Sequence, residues 1–169
     1  MISTTKKNGV TLPELLITIA IISVLVISGL PRVSLTLQKI RVLLATNALH
    51  NAINLTRSEA IAKNRRIDLI PIDGRYWENG WVIFVDSNNN QRMDRGETPI
   101  YSHEALHSSI RITTHFTDLK KHYIAYNGNG RTQTNASSQQ PQVGTIALTA
   151  GDYVRRIHLN FSGRARVAD

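Results

Sequence analysis

The pattern H-E-x-x-H occurs at residues 103–107, as HEALH. On a helix this spacing places His103 and His107 on one face as zinc ligands, with Glu104 as the general base of a metalloprotease. The segment runs into SIRIT at residues 109–113, which has the composition of a strand and leaves little room for a helix. We therefore expect a chance match in a loop. Since no nucleophile motif or phosphate-binding glycine loop appears either, we predict neither an enzyme nor a cofactor.

The Asx-rich segment DSNNNQRMDRGE, residues 86–97, has the spacing of a calcium-binding loop. Position 6 of that loop is Gln91, where calcium loops have glycine, and Arg92 and Arg95 reduce the local negative charge. We favour a hairpin turn whose side chains bond their own backbone, and a calcium ion that braces the loop is the alternative. The residues at the calcium-ligating positions are Asp86, Asn88, Asn90, Asp94 and Glu97.

The C-terminal segment SGRARVAD, residues 162–169, could bind phosphates. In an extended chain Arg164 and Arg166 point to the same side, roughly 6 to 7 Å apart, close to the spacing of phosphates along a nucleic-acid strand. Gly163 lets the chain turn and lets another backbone approach closely. The alternative is that these arginines hold the tail to acidic residues of the domain or to a neighbouring subunit.

The formal net charge is +8, and basic residues are concentrated in the C-terminal part of the chain. Residues 120–169 contain two acidic residues, Asp152 and Asp169, against seven basic ones. Such a segment favours a polyanionic partner, unless acidic residues elsewhere in the fold balance it. The chain has no cysteine, which excludes disulfides and thiolate sites. The seven basic residues are Lys120, Lys121, Arg131, Arg155, Arg156, Arg164 and Arg166.

An apolar run of 21 residues extends from Val10 to Leu30, and Glu14 is its only charged residue. As a helix it is long enough to cross a bilayer. A secretory signal peptide would end in a small-residue cleavage site, which is missing here. A plain membrane anchor would leave a carboxylate in apolar surroundings, at a cost of up to about 3.5 kcal/mol near the bilayer centre.

Beyond this run the helical pattern continues over residues 37–66 as an amphipathic half, with Ile40, Leu43, Leu44, Ala48, Ala52 and Leu55 as its apolar positions. In the last predicted strand Ile157, Leu159 and Phe161 share one face. The predicted fold class is α+β: a long N-terminal transmembrane and amphipathic helix, then an antiparallel, β-sandwich-like domain over residues 67–169. Its strands are predicted at 67–72, 80–86, 109–113, 122–126, 145–149 and 153–161.

The sequence KKNGVTLPELL around Gly9 resembles the leader of a type IV prepilin. In those proteins a prepilin peptidase of the inner membrane cleaves after the glycine, and the new N-terminus is methylated. The resemblance implies a leader peptide at residues 1–9 and a transmembrane, filament-core half of the helix at residues 10–36.

Glu14 would then be the fifth mature residue, and the resemblance implies that it pairs with the free amine of a neighbouring pilin. The match departs at Val10, where phenylalanine is usual. It also departs at Pro13, which the first turn of a helix tolerates.

Two internal segments resemble the GspH/FimT family of minor pilins: LTRSEAIAKNRRIDL at residues 55–69 and GWVIFVDSNNNQRMDRGE at residues 80–97. The C-terminal G-R-x-R resembles FimT-type members that bind DNA during uptake. That resemblance implicates Gly163, Arg164 and Arg166. Charge alone adds Arg155, Arg156, Lys120, Lys121 and Arg131 to the predicted DNA-binding residues.

The resemblance implies an inner-membrane prepilin that enters a type IV pilus at the cell surface. Its expected partners are the phosphate backbone of DNA, read without sequence preference, other major and minor pilins, the prepilin peptidase and the inner membrane. The expected function is DNA uptake in natural transformation. A structural pseudopilin of a type II secretion system and a pilus-assembly pilin that does not bind DNA are the alternatives.

Overall fold

The computed structural model describes residues 9–118, 122–134 and 140–168, without the side chains of residues 26–32. The chain divides into two units, one ending at Leu37 and the other from Gln38 to Asp169. We describe each unit by itself.

The first unit contains the beginning of helix α1, which extends over Leu12–Lys63. Its first turn includes Pro13, and the Leu15 amide donates to the Thr11 carbonyl at 3.1 Å. Every side chain that the structure describes in this unit is exposed, and most of the large ones are apolar. Within the described part of the chain, no helix has a stretch long and apolar enough to span a membrane.

In the second unit the rest of α1 buries one face in the domain core. This face has helical spacing and consists of Val42, Ala45, Leu49, Ala52, Ile53 and Ala60. The predicted face was partly right, since Ala52 is buried and Ala48 and Leu55 pack against the core. Ile40, Leu43 and Leu44 are exposed, and Val42 is buried instead. Three adjacent apolar residues fit more than one helical face, so periodicity alone could not choose between them.

Eight strands follow the helix and form two antiparallel, four-stranded sheets. The first sheet has the order β3-β2-β1-β5 and the second β4-β6-β7-β8. One hydrophobic core combines the buried face of α1 with the inner faces of both sheets. The strands are β1 (Ile67–Pro71), β2 (Trp81–Phe84), β3 (Pro99–His103), β4 (Arg111–Phe116), β5 (Ile124–Tyr126), β6 (Gly144–Ala150), β7 (Tyr153–Leu159) and β8 (Ala165–Ala168).

Strands β3 and β8 were not predicted, and β7 ends two residues earlier than expected. Ile157 and Leu159 are buried as predicted, but Phe161 is 72% exposed. The alternation stops because Asn160 begins a tight turn, which removes Phe161 from the face of the sheet.

A buried charge cluster connects the end of the helix to the first sheet. Arg66 donates two hydrogen bonds to the Asp68 carboxylate, at 2.7 and 2.9 Å, and its Nε lies 3.7 Å from Asp86. Two carboxylates therefore share one guanidinium away from water. Burial raises the pKa of Asp68 to about 7, while Arg66 opposes the shift.

This cluster predicts a pH dependence of stability. In the folded state the pKa of Asp68 lies above the value of about 3.9 in an unfolded chain. The folded state therefore binds the extra proton, and the free energy of unfolding falls as the pH rises towards and through about 7. In Asp68→Asn this group cannot titrate, so the stability of the parent relative to the variant should fall between pH values of about 5 and about 8.

Chemical unfolding of both proteins across this pH range measures the difference. Asp73→Asn is the matched control. Burial alone would raise the pKa of the exposed Asp73, but hydrogen bonds from the amides of Tyr76 and Arg75 and from the Asn79 side chain together lower it. Its difference from the parent should not change over the same range. If the difference in the free energy of unfolding between the parent and Asp68→Asn also stayed constant over this pH range, Asp68 would not titrate there, and the account of two carboxylates sharing Arg66 would be contradicted.

Candidate nucleic-acid interface

The predicted phosphate-binding segment begins with a tight turn at residues 160–163. The side-chain oxygen of Asn160 accepts hydrogen bonds from the amides of Ser162 and Arg164, at 3.1 and 2.9 Å. The Gly163 amide donates to the Asn160 carbonyl at 3.0 Å. This is the Asx chemistry that fixes turns, and it orients the chain as it enters β8.

Gly163 has a φ of +74°, a left-handed conformation that favours glycine. A Cβ atom at this position would lie 2.6 Å from the carbonyl oxygen of Gly130, in the neighbouring turn at residues 127–130. The close backbone approach that the sequence predicted at Gly163 therefore involves the protein itself. It joins two turns that are 33 residues apart in the chain.

Strand β8 lies at the edge of the second sheet and is fixed by two side chains from other elements. The hydroxyl of Tyr126, in β5, donates to the Gly163 carbonyl at 2.8 Å, and Nε2 of His50, in α1, lies 3.3 Å from the Ala165 carbonyl. Burial raises the pKa of the Tyr126 hydroxyl above its usual range, so it remains a neutral donor. The positive charge of Arg57 partly offsets this shift.

The two arginines of the G-R-x-R motif are exposed on one side of the chain. Ala165 and Val167 alternate with them and pack against the hydrophobic core. Neither Arg164 nor Arg166 forms an ion pair with any other described residue. Within the described part of the protein, no carboxylate occupies either guanidinium group.

Arg166 continues a polar row across the solvent-facing side of the second sheet, which we call the outer face. The strand register places Arg166 beside His158, His158 beside Thr145, and Thr145 beside His115. Nδ1 of His158 lies 2.9 Å from the Thr145 hydroxyl. The exposed basic side chains of Arg111 and Arg156 lie on the same face, and none of these four strands contains an acidic residue.

The structure brings together some of the predicted DNA-binding residues and separates others. Arg156 shares the outer face with Arg166, whereas the half-buried Arg155 projects to the opposite face of β7. Arg131 is exposed. Its Cα lies next to the two turns, 3.3 Å from the place that a Cβ atom on Gly163 would occupy. The positions of Lys120 and Lys121 lie outside the described residues.

Three side chains at this site were not predicted: His50, Arg57 and Tyr126. Two of them contact the C-terminal segment from elements more than 35 residues earlier in the chain. The third, Arg57, lies beside Gly130. No spacing rule relates such distant positions. The signal in the sequence is a turn that ends in glycine and is followed directly by an arginine, at residues 127–131 and 160–164.

The H-E-x-x-H segment is not helical. His103 is the last residue of β3, and its ring stacks on Trp81 with 4.2 Å between the ring centroids. His107 follows in an irregular segment and contacts Ser109 through Nδ1 at 2.9 Å. The two histidines therefore do not occupy one helical face, which the zinc arrangement requires.

The Asx-rich segment is a loop closed largely by its own side chains. Asn88 and Asn90 both donate to the Asp94 carboxylate, at 2.8 and 2.6 Å. Asp86 accepts from the amides of Asn90 and Gln91, and Glu97 accepts from the amide of Ser87. Among the described residues, no group of three or more His, Cys, Asp or Glu side chains is placed to hold a metal ion. Calcium binding stays the untested alternative to the self-bonded turn that the sequence favoured.

The predicted processing residues lie at the beginning of the described chain. Gly9 and Val10 precede the helix, and Glu14 is exposed in its first turn. An acidic residue is favoured there by the positive end of the helix dipole.

Comparison with known proteins identifies the family. The GspH family model, described as type II transport protein GspH, matches residues 45–163. The chain belongs to the GspH family. It is a minor type IV pilin or pseudopilin, as the sequence predicted. Residues 4–30 match the prokaryotic N-terminal methylation motif, in agreement with the predicted prepilin processing. Cleavage after Gly9 stays a prediction.

Two relatives are similar over most of their length. The pilin-like protein PilA1 of Thermus thermophilus is 28% identical over 167 residues, which cover 95% of this chain and 98% of PilA1. The crystal structure of the type IV minor pilin FimU of Pseudomonas aeruginosa is similar with a TM-score of 0.59 and 16% identity. This similarity covers 78% of this chain and 91% of FimU. It confirms the fold class.

The two-turn contact gives a stability prediction with a matched control. Gly163→Ala should destabilise the domain more than Gly74→Ala. Both glycines have similar left-handed φ values, +74° and +71°, but a Cβ on Gly74 meets nothing within 4 Å. The left-handed backbone costs about 1 to 2 kcal/mol at either position. Only Gly163→Ala also clashes with the Gly130 carbonyl, and chemical unfolding of the two variants measures the excess. Equal losses would show that the turns do not depend on this contact.

Proposed function

We propose that this pilin binds DNA through Arg164 and Arg166 and acts in DNA uptake during natural transformation. The observation that carries the proposal is the alternation in the C-terminal segment, where both arginines face solvent without an ion-pair partner among the described residues. With Arg166 in β8 and Arg164 directly before this strand, the two guanidinium groups can contact successive phosphates of one nucleic-acid strand.

The rest of the outer face supports the same proposal. Arg156 and Arg111 add exposed positive charge next to the row that contains Arg166, and no acidic side chain on these strands opposes them. The threonine and histidine side chains of the row can donate hydrogen bonds to phosphate oxygens, as such side chains do in DNA complexes. Such a surface binds the backbone and reads no bases, so its affinity depends strongly on salt.

Arg164→Ala/Arg166→Ala tests the proposal in the full-length chain, held in a neutral detergent. We expect at least about a tenfold loss of affinity for a labelled DNA duplex at low salt. The slope of log K against log salt should become shallower by about 1.8, since two phosphate contacts are lost. Fluorescence anisotropy at several salt concentrations gives both quantities.

Arg92→Ala/Arg95→Ala is the matched control, because it removes the same charge from two exposed arginines in the Asx-rich loop. It should leave the slope within the error of the parent. Equal losses in both double variants would mean that only net charge matters. If the parent does not bind DNA at low salt, a structural role in secretion or pilus assembly becomes the better account. In cells, the first double variant should lose transformation while pili remain.

A further inference from the structure

Arg57 is a half-buried cation without a partner in the described part of the protein. Its Nε is buried and donates no hydrogen bond, and the side chain forms no ion pair with a described residue. The acidic residue nearest to it in sequence, Glu59, is paired with Lys63 at 3.1 Å. Removing a guanidinium from water without a compensating anion is unfavourable, and none of the described residues supplies that anion. The position is therefore suited to an anion from a binding partner.

The surroundings of Arg57 connect it to the G-R-x-R segment. A Cβ atom on Gly130 would lie 3.2 Å from Nε of Arg57, so the turn at residues 127–130 lies directly against this side chain. The same turn contacts Gly163 through the Gly130 carbonyl. Arg131 follows the first turn and Arg164 follows the second. Three segments that are distant in sequence therefore place Arg57, Arg131 and Arg164 against or next to the two turns.

We propose that Arg57 is a further phosphate-binding residue, which holds a DNA backbone phosphate at this junction together with Arg131 and Arg164. The proposal rests on the DNA-binding function proposed above. A guanidinium offers a planar fork of donors that matches two phosphate oxygens, and a half-buried one has lost part of its hydration before it binds. The DNA contact then extends from the outer face to the helix.

Arg57→Gln tests this inference in the full-length chain in neutral detergent, with the labelled duplex as the probe. The substitution keeps most of the side-chain length and removes the charge. We expect about a tenfold weaker Kd and a salt slope that becomes shallower by about 0.9, the value for one duplex phosphate. A merely structural role would lower thermal stability without changing the slope.

Arg41→Gln is the matched control, since Arg41 is half-buried on the same helix and lies about 24 Å away along its axis. Its slope should equal that of the parent. If Arg57→Gln also leaves the slope unchanged while Arg164→Ala/Arg166→Ala makes it shallower, the inference is wrong and the proposed function stands. If the parent itself does not bind the duplex, both fail.

Arg57→Lys covers the case in which the glutamine variant does not fold. Lysine keeps the charge and loses the planar fork, so we expect an unchanged slope and about a threefold weaker Kd. An affinity equal to that of the parent would overturn the role of the guanidinium at this position.

Discussion

The hydrogen bond from the buried Tyr126 hydroxyl to the Gly163 carbonyl joins strand β5 of one sheet to the turn that leads into the edge strand β8 of the other. Without the Tyr126 hydroxyl, the Gly163 carbonyl near the core would have lost its hydrogen-bond donor. A buried carbonyl without a donor lowers the free energy of unfolding by about 1 to 3 kcal/mol. The contact between the two glycine turns and the His50 contact to Ala165 depend on the same alignment. The direction in which Arg164 and Arg166 project is therefore set by core residues far from them in sequence.

The charge distribution of the second sheet follows from its strand register. Antiparallel pairing places residues of four strands in rows, and the outer-face positions contain basic, threonine, alanine and valine side chains but no acidic ones. The balancing carboxylates lie elsewhere, in part buried with Arg66. A protein with a net charge of +8 thus presents a surface whose local positive potential is higher than its composition alone suggests.

The sequence was sufficient to predict the helix, most strands and the fold class, because strong periodicity and turn residues mark them. Strand β8 was missed because its sequence, ARVA, is short and contains one β-branched residue and no aromatic one. Its extended structure is therefore determined by pairing with β7. The common direction of Arg164 and Arg166 could be predicted from the alternation of side chains in an extended chain alone. The same alternation places Arg155 and Arg156 on opposite faces of β7. A count of the charges in a segment cannot show on which face each charge lies. Arg57 could not be predicted, because its neighbours are set by tertiary contacts.

The position of β8 at the edge of its sheet has a consequence for solubility. An edge strand offers unpaired backbone groups to other chains, and proteins protect such edges with charged side chains and with contacts from other elements. Here Arg164 and Arg166 supply the charge, while His50 and Tyr126 occupy two carbonyls of this segment. The arginines proposed to attract DNA also repel another copy of the same strand. A chain that loses both would have an open edge without charge, where the strand of a neighbouring copy could add to the sheet and begin an aggregate.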